Sequence, residues 1–547
     1  MLRAVRLVLS VIIGVGLAVS WACADAEQPL QITGVEFCYP VPDAQDYHLR
    51  IGLVAEESVT LSKVEVNGNQ ADIISFLGED GQPEMPRLAA GGRGVARLAF
   101  NWIGGDDCRV KVTAGKEAGG EAEVEWVGKA PKGGYWNPAW PHHKPVLIRE
   151  DWGVERVAEP VEITVGFSAN EIGDPEAEIR VVEVSPAGEQ REIPSQVYDI
   201  GRVESPEHPD LASLSCTVAL LADVPAYGQK TYLIFYGNKE ASKPAYPTDL
   251  SLSGEKPGFT VENEWYRLGF SPKNGQLLSV SPKADPALNW LGYKGRETMH
   301  LNPDVYPADR PWTHVSDWNP PPTSAEVAGP ILIRTKRFGP LPGAPETFAS
   351  VTYKFSARNP WLMSSSLLEF KEDMGVLAVR SGEMVFDVGT FSQAAWRERS
   401  GKLGEVEMLD RFPYEEGKLK ALRAILEGDV RWVCMFNPGD SHGIAALNLA
   451  YFNGSFEGGD VAAQEPNIYI LNSGYAYIYW CRSSVYPFFS SISSAPVLVP
   501  KGSMFTERTA YVAFRMGDSE ETRFDELDSL HFQLTHPLRV MCIAWTE

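Results

Sequence analysis

The segment from His300 to Pro320 carries a dense set of reactive side chains: two His, three Asp, a Tyr, an Arg and two Trp within twenty-one residues, with four prolines among them. Prolines stiffen such a loop and pre-organise the groups it presents. His300, Tyr306, His314 and Asp317 are the candidates for proton exchange, because these types supply general acids and bases near neutral pH. Arg310 offers a planar fork for an anionic group. Trp312 and Trp318 offer flat apolar rings against which a sugar ring can stack. Elimination beside a uronate carboxylate would use Tyr306 or His314 as base. Hydrolysis would instead place two carboxylates about one bond, with Asp304 and Asp317 as the pair. The competing reading is structural: Trp residues that pack and Asp residues that cap turns.

Outside this segment the candidates for substrate contact are Arg397, which follows Trp396, His442, which follows the turn Asn437-Pro438-Gly439-Asp440, and Tyr477. Tyr475, Tyr477 and Tyr479 recur at period two and so share one face of a strand, either as a sugar platform or as ordinary core. His142 and His143 are adjacent, and neighbouring strand residues point to opposite faces, which makes a poor chelate. His300, His314 and Asp317 match no zinc spacing, so no metal is expected. Calcium on the loop carboxylates has no supporting pattern, and no cofactor is expected. Phosphate-cradling glycine loops and a Gly-x-Ser-x-Gly nucleophile turn are absent from the sequence.

The elements that must position these groups are strands. With 44% hydrophobic residues, 49 Gly and 40 Pro, the chain alternates apolar runs with turn signals, a pattern of many short strands. From about 30 to 127, alternation in Tyr47–Val54 and Val110–Thr113 and the turn Asn67-Gly68-Asn69 predict an immunoglobulin-like sandwich. A Gly- and Pro-rich linker over 128–145 follows, and its aromatic stretch Tyr135–His143 reads as interface packing or as sugar contacts. A small sandwich or barrel is predicted over 146–250, with strands at Val161–Val165 and Ile179–Val184. Strands continue at Ser350–Phe355, Trp361–Phe370 and Ile468–Leu471, and only Glu415–Leu426 has helical character.

Two stretches carry a resemblance. The progression from Val161-Glu162-Ile163 through Ile193-Pro194-Ser195-Gln196-Val197 to Ala222–Tyr232 resembles β domains of carbohydrate-active enzymes. It is similar to segments beside the sandwich of family-38 α-mannosidases and to the N-terminal barrel of exo-rhamnogalacturonan lyase-like proteins. Phe259–Val280, with Pro272-Lys273-Asn274-Gly275 at its turn, resembles the opening hairpin of a galactose-mutarotase-like supersandwich. The resemblance implies an all-β chain whose residues 257–547 form that supersandwich, and it implies carbohydrate as the substrate class. The mannosidase α/β catalytic domain and the lyase-type helical toroid have no room in this sequence, so any chemistry falls to the loops.

Compartment and charge complete the expectation. Arg3 and Arg6 precede an apolar run from Leu7 to about Ala22, and Ala24-Asp25-Ala26 suits signal peptidase, so residues 1–26 read as a signal peptide and the protein as secreted or periplasmic. Lipidation of Cys23 is the rival, with Trp21 where that signal wants a small residue; an uncleaved membrane anchor is another. No membrane insertion is expected after cleavage. The net charge of -23 repels phosphate backbones and anionic lipid, which excludes nucleic acid as a partner. Six cysteines remain after Cys23, without a CxxC pair, and Cys38 and Cys108 are placed to bridge the two ends of the first sandwich. The partner expected is therefore a polysaccharide or oligosaccharide, with the oligomeric state open. The activity expected is that of a polysaccharide lyase or, next, a glycoside hydrolase. A non-catalytic carbohydrate-binding or surface-assembly protein and a sugar epimerase are the alternatives.

Overall fold

A computed structural model describes residues 29–542 except for 38–45, 79–83, 102–106, 130–135, 186–188, 205–211, 300–302, 409–413, 416–417, 420–421, 456–466, 473–476 and 486–495. The proposed signal peptide, His300, Cys38 and Tyr475 lie outside the described residues. Among the described residues the chain is almost entirely β; its two α-helices are Pro175–Glu178 and Asp525–Thr535, with short 3-10 turns at Tyr293–Gly295 and Val315–Asp317. Neither α-helix is long and apolar enough to cross a membrane.

The chain divides into two compact units, with residues up to 36 and 45–130 in the first, and 37–44 and 131–547 in the second. The first is built from two antiparallel sheets. Leu30–Phe37, Asp46–Ala55, Arg93–Asn101 and Asp72–Leu77 form one, and Val59–Val66, Asp107–Lys116 and Glu121–Lys129 with two short strands form the other. Alternation decides the inner face: Leu49, Ile51 and Leu53, then Val110 and Val112, are at most 1% exposed. Asn67 and Gly68 take positive φ at the hairpin, as a two-residue turn requires. Cys108 is a free, buried thiol.

The second unit begins with a small sandwich. Arg156–Ser168, Ser213–Val224 and Ser195–Val203 form a three-stranded sheet facing a five-stranded one. The fifth strand of the latter is Arg539–Cys542, which pairs antiparallel with His142–Arg149, so the end of the chain completes its small sandwich. Trp136 and Trp140 pack on Phe235, Leu233 and Val182, and so serve as packing groups.

The remainder is a large sandwich. A five-stranded sheet spans Ser251–Leu291, a seven-stranded sheet includes Asp304–Pro307, Met374–Asp387, Asn467–Asn472 and Tyr477–Val485, and a nine-stranded sheet includes Leu332–Leu341, Ala344–Ser356, Trp361–Phe370, Ser503–Arg515 and His442–Ser455. Their shared core is aromatic and aliphatic, with Phe270, Tyr353, Phe355, Phe370, Phe386 and Trp480 buried together. The strands Tyr266–Phe270 and Leu277–Pro282 form the expected hairpin, and Gly275 takes φ 69° in its turn. The helix expected over Glu415–Leu426 is corrected: Leu422–Glu427 is a strand paired in register with Asn467–Asn472. Leu419, Leu422 and Leu426 mimic a helical stripe, but hydrogen bonding to a neighbouring strand decides. The longer helix instead buries Leu527 and Leu530 against Trp432, Phe436 and Phe514.

Candidate functional site

The outer face of the seven-stranded sheet gathers part of the loop chemistry. Asp304 lies opposite His314 on one side and Arg380 on the other, and Tyr306, two residues along, shares the face of Asp304. Two bulges flank Arg380 on the strand Met374–Asp387, shifting its register against Tyr477–Val485. Arg380 then forks Asp304, with Nε to Oδ1 at 3.0 Å and Nη2 to Oδ2 at 2.5 Å, and Glu383 lies 3.6 Å from Nη1. All three side chains are buried.

An aromatic stack sits against this cluster. The Tyr306 and Trp312 rings lie 4.7 Å apart and 12° from parallel, and the His314 ring lies 6.3 Å from Trp312 at 19°. The Arg380 guanidinium is 4.6 Å from the Trp312 ring. Two partners at stacking distance take up the indole's π surface. Trp312 is therefore the filling of the stack, with the half-buried Tyr306 and His314 rings beside it. Further along the face, Tyr293, Tyr477 and Tyr479 touch in sequence at 5.3 and 5.6 Å, beside buried Tyr469 and Cys481.

Electrostatics sort the roles. Burial disfavours the charged Arg380, but Asp304 and Glu383 outweigh it and hold the guanidinium ionised. Burial pushes the Cys481 thiol up to about 12, so it is no nucleophile at neutral pH. Burial and then the Glu383 charge raise the Tyr477 phenol, which leaves it a hydrogen-bonding group and not a base. Asp317 accepts from the His314 backbone N–H at 3.1 Å and lies 2.8 Å from Nδ1. Burial raises the Asp317 carboxyl, and the His314 contacts overcome this and hold it below the usual carboxylate range. An ionised carboxylate only accepts, so Nδ1 carries a proton in this contact and Nε2 is the ring nitrogen turned away from Asp317.

Several expected roles are corrected. Trp318 is 2% exposed, lies in the core and donates Nε1–H to Pro340 O at 2.9 Å, so no sugar can stack there. Asp304 is wholly buried on Arg380, which removes it from a hydrolytic carboxylate pair with Asp317. Arg310 is held by Asp309 and by Glu346 at 2.6 Å, so its charge is already answered. Arg397 forks Asp528 of the longer helix and lies over Trp432, within the nine-stranded sheet's packing. His442, by contrast, lines a separate cavity at the start of the strand His442–Ser455, with Nδ1 2.9 Å from Ser441 Oγ. Arg380, Glu383, Tyr293 and Tyr469 are the residues that sequence reasoning missed; charged residues inside the apolar run Met374–Asp387 were the available signal. Among the described residues no cluster of three His, Cys, Asp or Glu side chains could hold a metal ion.

No protein-family model matches the chain, and no curated protein matches it. Among solved structures, an α-mannosidase from Enterococcus faecalis V583 aligns with TM-score 0.42 and 10% identity over 74% of this chain and 46% of its own. A galactose mutarotase related enzyme from Lactobacillus acidophilus aligns with TM-score 0.30 and 11% identity, over 48% of this chain and 99% of its own. A GH36 α-galactosidase from Geobacillus stearothermophilus gives 0.30 and 10%, over 49% and 41%. The chain thus spans less than half the length of the α-mannosidase it matches. Scores this low leave function to be argued from the site.

Proposed function

We infer that this chain is a carbohydrate-active protein that holds a neutral glycan on the outer face of the seven-stranded sheet, with His314 as its proton-exchanging residue. The observation that carries this reading is the His314–Asp317 pair at 2.8 Å, at the end of the Tyr306–Trp312 stack. A carboxylate that fixes the tautomer leaves Nε2 as a general base beside aromatic rings. The residue pattern of Phe259–Val280, which resembles the opening of a galactose-mutarotase-like domain, points to the same substrate class. Among the described residues, Arg310 and Arg380 near the stack are both engaged by carboxylates, which favours a neutral glycan, while Lys273, beside Asp317, donates to Ser316 O at 3.0 Å. That engagement speaks against Arg310 or Arg380 as the charge partner for elimination from a uronate.

The test is incubation of the purified protein with a panel of polysaccharides. New reducing ends without new absorbance near 235 nm, lost in His314→Ala and Tyr306→Ala, support the reading. Absorbance near 235 nm would replace it with elimination. Turnover that survives both substitutions would displace the site. Retention without turnover would support the binding-only alternative, which the engaged acids and the buried Asp304 favour over a two-carboxylate hydrolase.

A further inference from the structure

A cavity of about 640 Å³ shares no lining residue with the stack. It lies where the strands His442–Ser455 and Ser503–Arg515 meet the hairpin following Glu262 and the start of the helix Asp525–Thr535. On its wall stands Trp265, 47% exposed. Its backbone is fixed: Asn263 Oδ1 accepts from the N–H of Trp265 and of Tyr266, while Asn263 Nδ2 donates to Ser356 O and Asn359 O, and Trp265 O accepts from Lys283 N–H at 2.8 Å. Asn263 itself is 1% exposed. A large ring kept in water by a buried anchor loses little freedom on binding a ligand.

The polar wall is mixed in sign. Glu264 and Glu526 face the cavity with Lys283 and Arg515, so their formal charges cancel. Burial raises the Glu526 carboxyl, even though it accepts the Arg515 backbone N–H at 2.7 Å. Ser441 Oγ donates to Asp285 Oδ2 at 2.7 Å, so at its 2.9 Å contact with His442 it must accept from Nδ1–H. Burial lowers the His442 pKa, and the neutral ring keeps Nε2 as an acceptor. A charged ligand is favoured by a cleft of one sign. An aromatic ring beside alternating donors and acceptors of cancelling charge suits a molecule with one apolar face and many hydroxyls, each both donor and acceptor. We propose that this cavity is a second carbohydrate site, which takes a neutral saccharide stacked on Trp265.

Native electrophoresis through gels containing galactomannan, xyloglucan or arabinan tests it, with polygalacturonate as the anionic comparison. The unaltered protein is expected to be retarded by at least one neutral gel, and Trp265→Ala to weaken that retardation at least fivefold. Arg515→Gln, on an exposed side chain, gives a second reading should Trp265→Ala fold poorly, and is expected to weaken it as well. Equal retardation of both variants and the unaltered protein overturns the proposal, as does retardation by polygalacturonate alone or by no gel. Tyr306→Ala separates the two sites: retardation lost in that variant and kept in Trp265→Ala sinks this proposal while sparing the first site, and the reverse does the opposite.

Discussion

Replacing Arg380 by Met tests the reasoning about the stack's foundation. The substitution keeps an unbranched side chain but leaves Asp304 and Glu383 without their shared cation, with side chains 0% and 2% exposed. Breaking a buried pair from one side costs about 3–5 kcal/mol. Protonation sets a ceiling on that loss, since a stranded carboxyl can take a proton in place of a partner. Neutralising one carboxyl of ordinary pKa costs about 5 kcal/mol at pH 7.5 and about 1.5 kcal/mol at pH 5. In the variant the folded-state pKa of that carboxyl is raised above its unfolded value, so the folded form binds more protons and loses stability as pH rises from about 4 upward. The deficit relative to the unaltered protein should therefore be about 1.5–3.5 kcal/mol larger at pH 7.5 than at pH 5. With a urea slope of about 3 kcal/mol per molar, that is about 0.5–1 M in the difference between midpoints. Urea unfolding followed by tryptophan fluorescence at the two pH values reads it. A deficit that is equal at both, or larger at pH 5, would refute the assignment of Arg380 as the shared cation.

Other outcomes follow from the same geometry. Asp317→Asn should flatten the acid limb of stability: the depressed carboxyl stabilises the fold above about pH 4, and this is lost as pH falls through its folded pKa. With that carboxylate 42% exposed, the effect is below about 1 kcal/mol by urea titration, and a larger one would mean a tighter pair. Trp318→Ala should cost about 3–5 kcal/mol in a urea melt, as expected for a buried indole, and a loss under about 1 kcal/mol would place that ring outside the core. Cys108, Cys216 and Cys481, with burial raising their thiols to about 11, 12 and 12, should resist iodoacetamide in the native protein and react after unfolding; native labelling found by peptide mapping would contradict their burial.

What the sequence disclosed was what local patterning controls. Trp361–Phe370 reads as a strand with these bounds because apolar residues fill both of its ends and neither Gly nor Pro interrupts it. The hairpin at Asn274-Gly275 was legible for the same reason, since only a few residue types accept that turn. Non-local pairing was not legible. Arg539–Cys542 gives no hint that it adds to His142–Arg149, nearly four hundred residues earlier. The helix Asp525–Thr535 carries Leu527, Leu530 and Leu534 at helical spacing, and its short acidic start obscured them. For the site, proximity in the loop identified Tyr306, Trp312, His314 and Asp317, which the fold does place close together. Composition could not tell a ring held within a half-buried stack from one that faces the core, and so Trp318 and Trp312 looked alike. Nor could it pair Asp304 with Arg380, because that ion pair exists only once two strands are in register.

Hydrogen–deuterium exchange in the presence of whichever neutral polysaccharide the protein retains bears most closely on the glycan-binding face. Slower exchange across peptides covering Asp304–Asp317, absent in His314→Ala, is the predicted result. Unchanged exchange in those peptides while the glycan is bound elsewhere would contradict a ligand site on the Tyr306–His314 stack.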